Sequence, residues 1–238
     1  MLGRAGTILA VAVVTVACGS NDDTAGSDRG GGSDATQTFA FGEQRTGEAT
    51  YYDFADGSGA CMFDPSPDDM NVAALNSPDW WGSGWCGACA DVEGPNGTVR
   101  LRIVDLCPEC PSGNLDLSPQ AFDQIAERSA GRVPITWHMV PCDVSGPIQY
   151  RYKDGANQWW TAVQVLNHRL PVRSLEWSPD GSSWNLMERQ SYNYFLEGNG
   201  FGPDPVRVRV TAIDGQTLED ELPPVEEYLV VDGHAQFD

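Results

Sequence analysis

Cysteine stops at residue 142. Six of the seven cysteines, Cys61, Cys86, Cys89, Cys107, Cys110 and Cys142, crowd the middle of the 238-residue chain, and none follows. An even set in an exported chain favours three disulfides, which hold together a unit whose own apolar core is small. Cys86-x-x-Cys89, 17 further residues and Cys107-x-x-Cys110 also fit a four-thiolate structural zinc site. Zinc would strand Cys61 and Cys142 at the edges of the same region, and an oxidising compartment turns thiolates into pairs. Disulfides are therefore expected, and no metal.

Export is read from the N-terminus. Arg4 precedes an apolar run from Ala5 to Ala17, shorter than a bilayer-spanning helix and suited to a signal peptide. The run ends in Thr15-Val16-Ala17-Cys18, which is similar to a bacterial lipobox. Residues 1–18 are thus expected to be a leader and Cys18 a lipidation site, with a plain signal peptide cleaved nearby as the alternative. Residues 19–38 are mostly Gly, Ser, Asp, Thr and Ala, too polar to bury a core, and read as a flexible tether. The expected location is outside the cytoplasm, as an outer-membrane lipoprotein or a secreted protein.

Charge excludes whole classes of partner. The formal net charge is −20, and Lys153 is the only lysine. Nucleic acid and anionic membranes need clustered basic residues, so neither is an expected partner. An acidic surface also repels acidic pectin, which tilts the choice toward neutral glycans.

After Cys142 the segment Val144-Ser145-Gly146-Pro147 marks a change of composition. It predicts a cysteine-bearing domain over 39–143 and a cysteine-free one over 147–238, close enough to act on one ligand. Both read as β. Short alternating runs at 99–104 and 134–140 predict strands of the first domain, with Glu93–Gly97 as a hairpin turn. Ser118 and Pro119 open its one evident helix, with Phe122, Ile125 and Ala126 as the apolar face. Runs at 161–166 and 206–211, separated by turns such as Pro179-Asp180-Gly181, predict a β-sandwich in the second domain. Trp137, Trp177 and Trp184 are expected in the cores.

Three places in the first domain carry groups able to do chemistry. Ala49-Thr50-Tyr51-Tyr52-Asp53 brings hydroxyls and a carboxylate beside a Gly-rich turn; Asp105 follows a strand; Asp116 precedes the helix. Each has a plainer reading: a solvated strand-end carboxylate for Asp105, a helix-entry residue for Asp116, a turn residue for Asp53. In the second domain Trp159-Trp160 is the candidate sugar platform, because pyranose C–H faces stack on aromatic planes. Adjacent residues of a regular strand point to opposite faces, so either one Trp is core or the chain bends there.

Thr50-Tyr51-Tyr52, Gly59-Ala60-Cys61, Cys86-Gly87-Ala88-Cys89, Val104-Asp105-Leu106-Cys107-Pro108 and the stretch from Leu115 to Phe122 resemble the expansins, above all the bacterial expansin-like proteins. Tyr150–Gly155, Gln158-Trp159-Trp160, Gln164–His168 and Tyr192–Phe195 are similar to the expansin cellulose-binding module. The resemblance runs from about 45 to 238 with the motifs in order. It implies a mainly β protein: a six-stranded double-psi β-barrel followed by an immunoglobulin-like β-sandwich of carbohydrate-binding module family 63. It implies non-hydrolytic loosening of plant wall networks by a monomer that needs no cofactor and binds cellulose, with xyloglucan or peptidoglycan as further candidates. By position, Thr50, Tyr52, Asp105 and Asp116 would line the groove, with Asp105 the residue most needed. Trp159, Trp160 and Tyr192 would form the flat binding face beside Lys153. The resemblance also suggests the pairs Cys61–Cys86, Cys89–Cys142 and Cys107–Cys110.

Two rivals are kept. The related family 45 endoglucanases pair an acid at the place of Asp105 with a base near the place of Asp53, and an inverting pair needs room for a water between the carboxyls; a peptidoglycan lytic enzyme of the same barrel type is the other form of this rival. A pure cellulose-adhesion module is the second.

Overall fold

The computed structural model describes Met1, Gly3, residues 36–53 and residues 55–238. Apart from Met1 and Gly3, the expected leader lies outside them, as do Cys18 and the expected tether before residue 36. Six strands close the first barrel: β1 (Arg45–Tyr51), β2 (Val72–Asn76), β3 (Cys89–Gly94), β4 (Gly97–Cys107), β5 (Leu115–Leu117) and β6 (Val133–Val140). Their order around the barrel is β1-β5-β2-β4-β3-β6. The β1–β5 and β2–β4 pairs are parallel and the others antiparallel. This is the double-psi barrel, and closure leaves it no free sheet edge.

Alternation fills the barrel. Ala49, Ala73, Leu75, Val99, Leu101, Ile103, Leu115 and Leu117 point inward, and α1 (Pro119–Ile125) closes the core with Phe122 and Ile125. Ser118 caps that helix, its hydroxyl accepting from the Ala121 amide at 3.1 Å, and Pro119 sits where its missing N–H costs nothing. The disulfides are Cys61–Cys86, Cys89–Cys142 and Cys107–Cys110. All six thiols are consumed, so the zinc alternative fails.

Nine strands build the sandwich: β7 (Gln149–Tyr152), β8 (Thr161–Leu166), β9 (Val172–Ser178), β10 (Asn185–Leu186), β11 (Glu188–Arg189), β12 (Phe195–Glu197), β13 (Val206–Ala212), β14 (Thr217–Leu222) and β15 (Val230–Asp232). They form a sheet ordered β10-β9-β13-β14 and another ordered β11-β12-β8-β7-β15. Tyr150, Tyr152, Val163, Val165, Phe195, Val206, Val208 and Val210 pack between them.

The tryptophan expectations hold in part. Trp137 is buried in the barrel. Trp177 is half-buried, its ring 5.0 Å from Phe201 and its indole N–H donating to Glu197 at 3.0 Å. Trp184 is not core: the Arg209 guanidinium lies 3.8 Å over its ring. Arg209 alternates with the inward Val208 and Val210, so Trp184 covers the outer face of the four-stranded sheet.

Candidate functional site

One row of side chains crosses four barrel strands. The register pairs Thr50 with Asp116, Asp116 with Ala74, and Ala74 with Asp105. Each alternates with inward neighbours, so the row lies on the outside of the barrel. Asp105 reaches that side through a bulge. The β2–β4 register jumps from Ala73–Ile103 to Ala74–Asp105, leaving Val104 as the extra, buried residue. Without it, the alternation of Val99, Leu101 and Ile103 would carry residue 105 into the core. Asp105 therefore sits within β4, two residues before its end, and not just past the strand at 104 as the sequence pattern suggested. Asp116 is likewise a residue of β5 and not a helix-entry residue.

Hydrogen bonds fix both carboxylates. The Thr50 hydroxyl donates to Asp116 Oδ1 at 2.5 Å. Asp105 Oδ1 accepts from the amides of Ala60 at 2.7 Å and Leu106 at 2.8 Å, leaving Oδ2 to meet a ligand hydroxyl. Burial raises the Asp116 pKa; the Thr50 hydrogen bond and Arg132 oppose this, while Glu109 and Asp105 add to it. Tyr52 follows β1 on the side opposite Tyr51, whose ring packs 5.0 Å from Phe122. The buried Tyr52 hydroxyl has no protein hydrogen-bond partner. Burial, then the charges of Asp105, Asp116 and Asp56, push its pKa far above the phenol range. Tyr52 is thus held as a neutral phenol packed beside two carboxylates.

Asp53 stands apart. It lies in the exposed turn after β1, and its charge bears on Arg128. The carboxylate from that turn which bears on Tyr52 is Asp56.

Gly59 is a groove residue that sequence reasoning noted only as part of a motif. Its φ is +155°, and a Cβ there would stand 2.5 Å from Asp105 Cγ and 2.7 Å from Oδ1. Gly59→Ala is expected to displace the Asp105 carboxylate from the Ala60 and Leu106 amides; a crystal structure of the variant checks this, and an unmoved Asp105 would contradict it.

Raised pKa values also have a stability sign. A carboxyl with a folded pKa above its unfolded value weakens the fold as pH rises from the unfolded value through the folded one. Asp116→Asn should therefore melt at the same temperature as the wild type below pH ~3.9, and up to a few degrees higher at pH 7. Melting curves at both pH values test this; a lower melting point at pH 7 would contradict it.

The sandwich meets the barrel through the five-stranded sheet. Gln164 Nε2 and Asn193 Nδ2 both donate to the Cys61 carbonyl, at 2.8 and 3.1 Å. Arg151 donates to the Met62 carbonyl at 2.6 Å and to Asp64 at 2.7 Å. Cys61 adjoins Ala60, whose amide holds Asp105, so the seam and the groove share one loop. Burial pushes the pKa of His168, packed against Gly87, down to about 4, which keeps this seam residue neutral.

The tryptophans do not share a regular strand. Asn157 and Trp160 form a two-residue bridge, with Gln158 and Trp159 in the turn between them. Trp159 is 72 % exposed at that turn and Trp160 is half-buried beside it. The Asn157 side chain accepts from the Trp159 amide at 2.9 Å, and Gln158 O accepts from Gly202 N at 3.0 Å. Trp160 shares a face with Ala162 and Gln164, opposite the core residues Val163 and Val165, so it lies on the face that reaches the barrel. Lys153 Nζ sits 5.8 Å over the Tyr194 ring, which lies 6.0 Å from Tyr192. Tyr194 is itself buried, and Lys153 and the half-buried Tyr192 lie against it.

Such a molecule is a barrel with a carboxylate-lined outer row, joined to a β-sandwich that displays an aromatic turn. A family model described as lytic transglycolase matches residues 44–137. Expansin-YoaJ of Bacillus subtilis is 37% identical over 207 residues, 83% of this chain and 88% of that protein. Expansin-like protein 1 of Dictyostelium discoideum is 30% identical over 203 residues, 79% of this chain and 70% of that one. The apo crystal structure of the Clavibacter michiganensis expansin matches with a TM-score of 0.76 at 29% identity, over 82% of this chain and 98% of the other. A mutant of that expansin, solved in complex with cellohexaose, matches equally well. The chain belongs to the expansin family.

Proposed function

We propose that this protein loosens plant wall networks by binding glucan chains, without cutting a glycosidic bond. The observation that carries this reading is the shared loop: Ala60 holds the groove carboxylate, and the next residue, Cys61, holds the sheet that bears the aromatic turn. A glucan held on both would be coupled mechanically to Asp105. In this reading Asp105, Asp116 and Thr50 orient one segment through its hydroxyls, with Tyr52 packed beside them. Trp159, Trp160 and Tyr192, with Lys153, hold another by stacking. The complex of the Clavibacter relative with cellohexaose supports a β-glucan as ligand. Export follows from the wall as substrate; lipidation at Cys18 is the finer reading of the leader.

A lytic reading draws on the family-model match over 44–137. In its hydrolytic, inverting form it needs a second carboxylate at working distance from Asp105. Asp53 is poorly suited, since it is exposed and set toward Arg128. Depletion of the protein by crystalline cellulose, with reducing ends counted in the same suspension, separates the readings. Retention without new ends is expected; new ends that vanish in Asp105→Ala would establish hydrolysis.

A further inference from the structure

The exposed apolar side chains of the sandwich continue past the tryptophans. Tyr228 is 62 % exposed and Val230 45 %, while their neighbours Leu229 and Val231 pack on the core. Alternation with Val231 turns Val230 to the outer face of the five-stranded sheet, and Tyr228, in the turn just before β15, stands beside Asp154. The register names their neighbours. Val230 pairs with Arg151, and the Tyr228 amide donates to Tyr152 O at 3.2 Å, which brings Tyr228 alongside Lys153. Lys153 N in turn donates to Ala162 O at 2.9 Å, and Ala162 shares its face with Trp160. Strands lie about 4.8 Å apart, so Tyr228 stands two strands, roughly 10 Å, from the strand that Trp160 begins.

The backbone is bent to place this ring. Tyr228 has φ +64°, a left-handed conformation that a bulky residue seldom adopts. Two contacts hold it: the phenol lies against the Asp154 carboxylate, and Glu227 Oε2 accepts from the Gly155 amide at 3.1 Å. Both lock the 226–229 turn onto the turn that follows Lys153. A mere surface tyrosine would need neither the left-handed backbone nor the paired turns.

We propose that Tyr228, with Val230 beside it, is a further sugar subsite of the glucan-binding face, on the far side of Lys153 from Trp159 and Trp160. The occupant is the same β-glucan chain, extended across β8, β7 and β15. This rests on the glucan-binding reading above. The subsite would be filled by oligosaccharides long enough to pass Lys153 and left empty by short ones.

Calorimetric titration of the full chain with cellotriose and cellohexaose tests it, using Tyr228→Ala, Tyr228→Phe, Tyr228→Asn and Trp159→Ala. Asn is included because it tolerates the left-handed backbone and so removes the ring without added strain. Tyr228→Ala and Tyr228→Asn should each weaken cellohexaose about five- to tenfold and leave cellotriose unchanged, with Tyr228→Phe close to wild type. Wild-type affinity for cellohexaose in both ring-deleted variants, with Trp159→Ala impaired, would overturn the subsite and leave the glucan-binding reading standing. Equal weakening of both oligosaccharides would assign Tyr228 to bracing the turn and also overturn it. No effect of Trp159→Ala on either ligand would remove the reading itself, and the subsite with it.

Discussion

Asp105→Ala is expected to reduce the extension of wall strips under constant load to the rate of buffer-treated strips, with cellulose retention within about twofold of wild type. The carboxylate is held by two backbone amides on a bulge that exists in the fold to turn it outward. Truncation removes the groove carboxylate and with it the acceptor shared by the Ala60 and Leu106 amides. Asp105→Asn keeps an acceptor oxygen without the charge and should fall between the two. The aromatic turn belongs to the sandwich and not to this row, so binding should survive. Extension that persists in Asp105→Ala would mean the groove is a bystander and the sandwich alone acts on the wall.

The reverse pattern is expected for Trp159→Ala combined with Trp160→Ala. Trp159 stands on a two-residue turn with most of its ring in water, and Trp160 lies half-buried beside it. Covering on the order of 100 Å² of apolar surface at about 25 cal/mol per Å² contributes roughly 2.5 kcal/mol. The double variant should therefore bind cellulose about 50- to 100-fold more weakly. Extension should fall with it, but recover in part at high protein concentration, because the Asp105 row is untouched. The fold itself should be little changed, since neither ring belongs to either core. Depletion isotherms and melting curves measure the two effects separately.

What could be read from the sequence was mostly local. The strand at 161–166 and the Ser118-Pro119 helix start depend on near neighbours in the chain, and the fold keeps them where the pattern put them. The disulfide pairing came from resemblance, since six cysteines alone allow many connectivities. Long-range features stayed hidden. Asp105 faces outward because of a bulge opposite β2, some 30 residues away in sequence, and nothing in Val104-Asp105-Leu106 announces it. Gly59 looked like an ordinary turn glycine, whereas the space it leaves is filled by Asp105. The Trp-Trp pair posed a choice between core and bend that only the Asn157–Trp160 bridge resolves. Trp184 was misplaced because an aromatic residue between strands reads as core, and the Arg209 guanidinium covering it comes from a strand more than 20 residues later. Tyr228 gave no pattern at all; its role depends on sheet order, which brings β15 beside β7.

The wall is expected to yield because a bound glucan is held and displaced, with every glycosidic bond intact. A single load-clamped wall strip, in which extension and newly formed reducing ends are recorded together, decides this. Extension that rises on adding the protein while reducing ends stay at the buffer level is the predicted result. Extension that rises only in proportion to new reducing ends would contradict the account and make this chain a hydrolase.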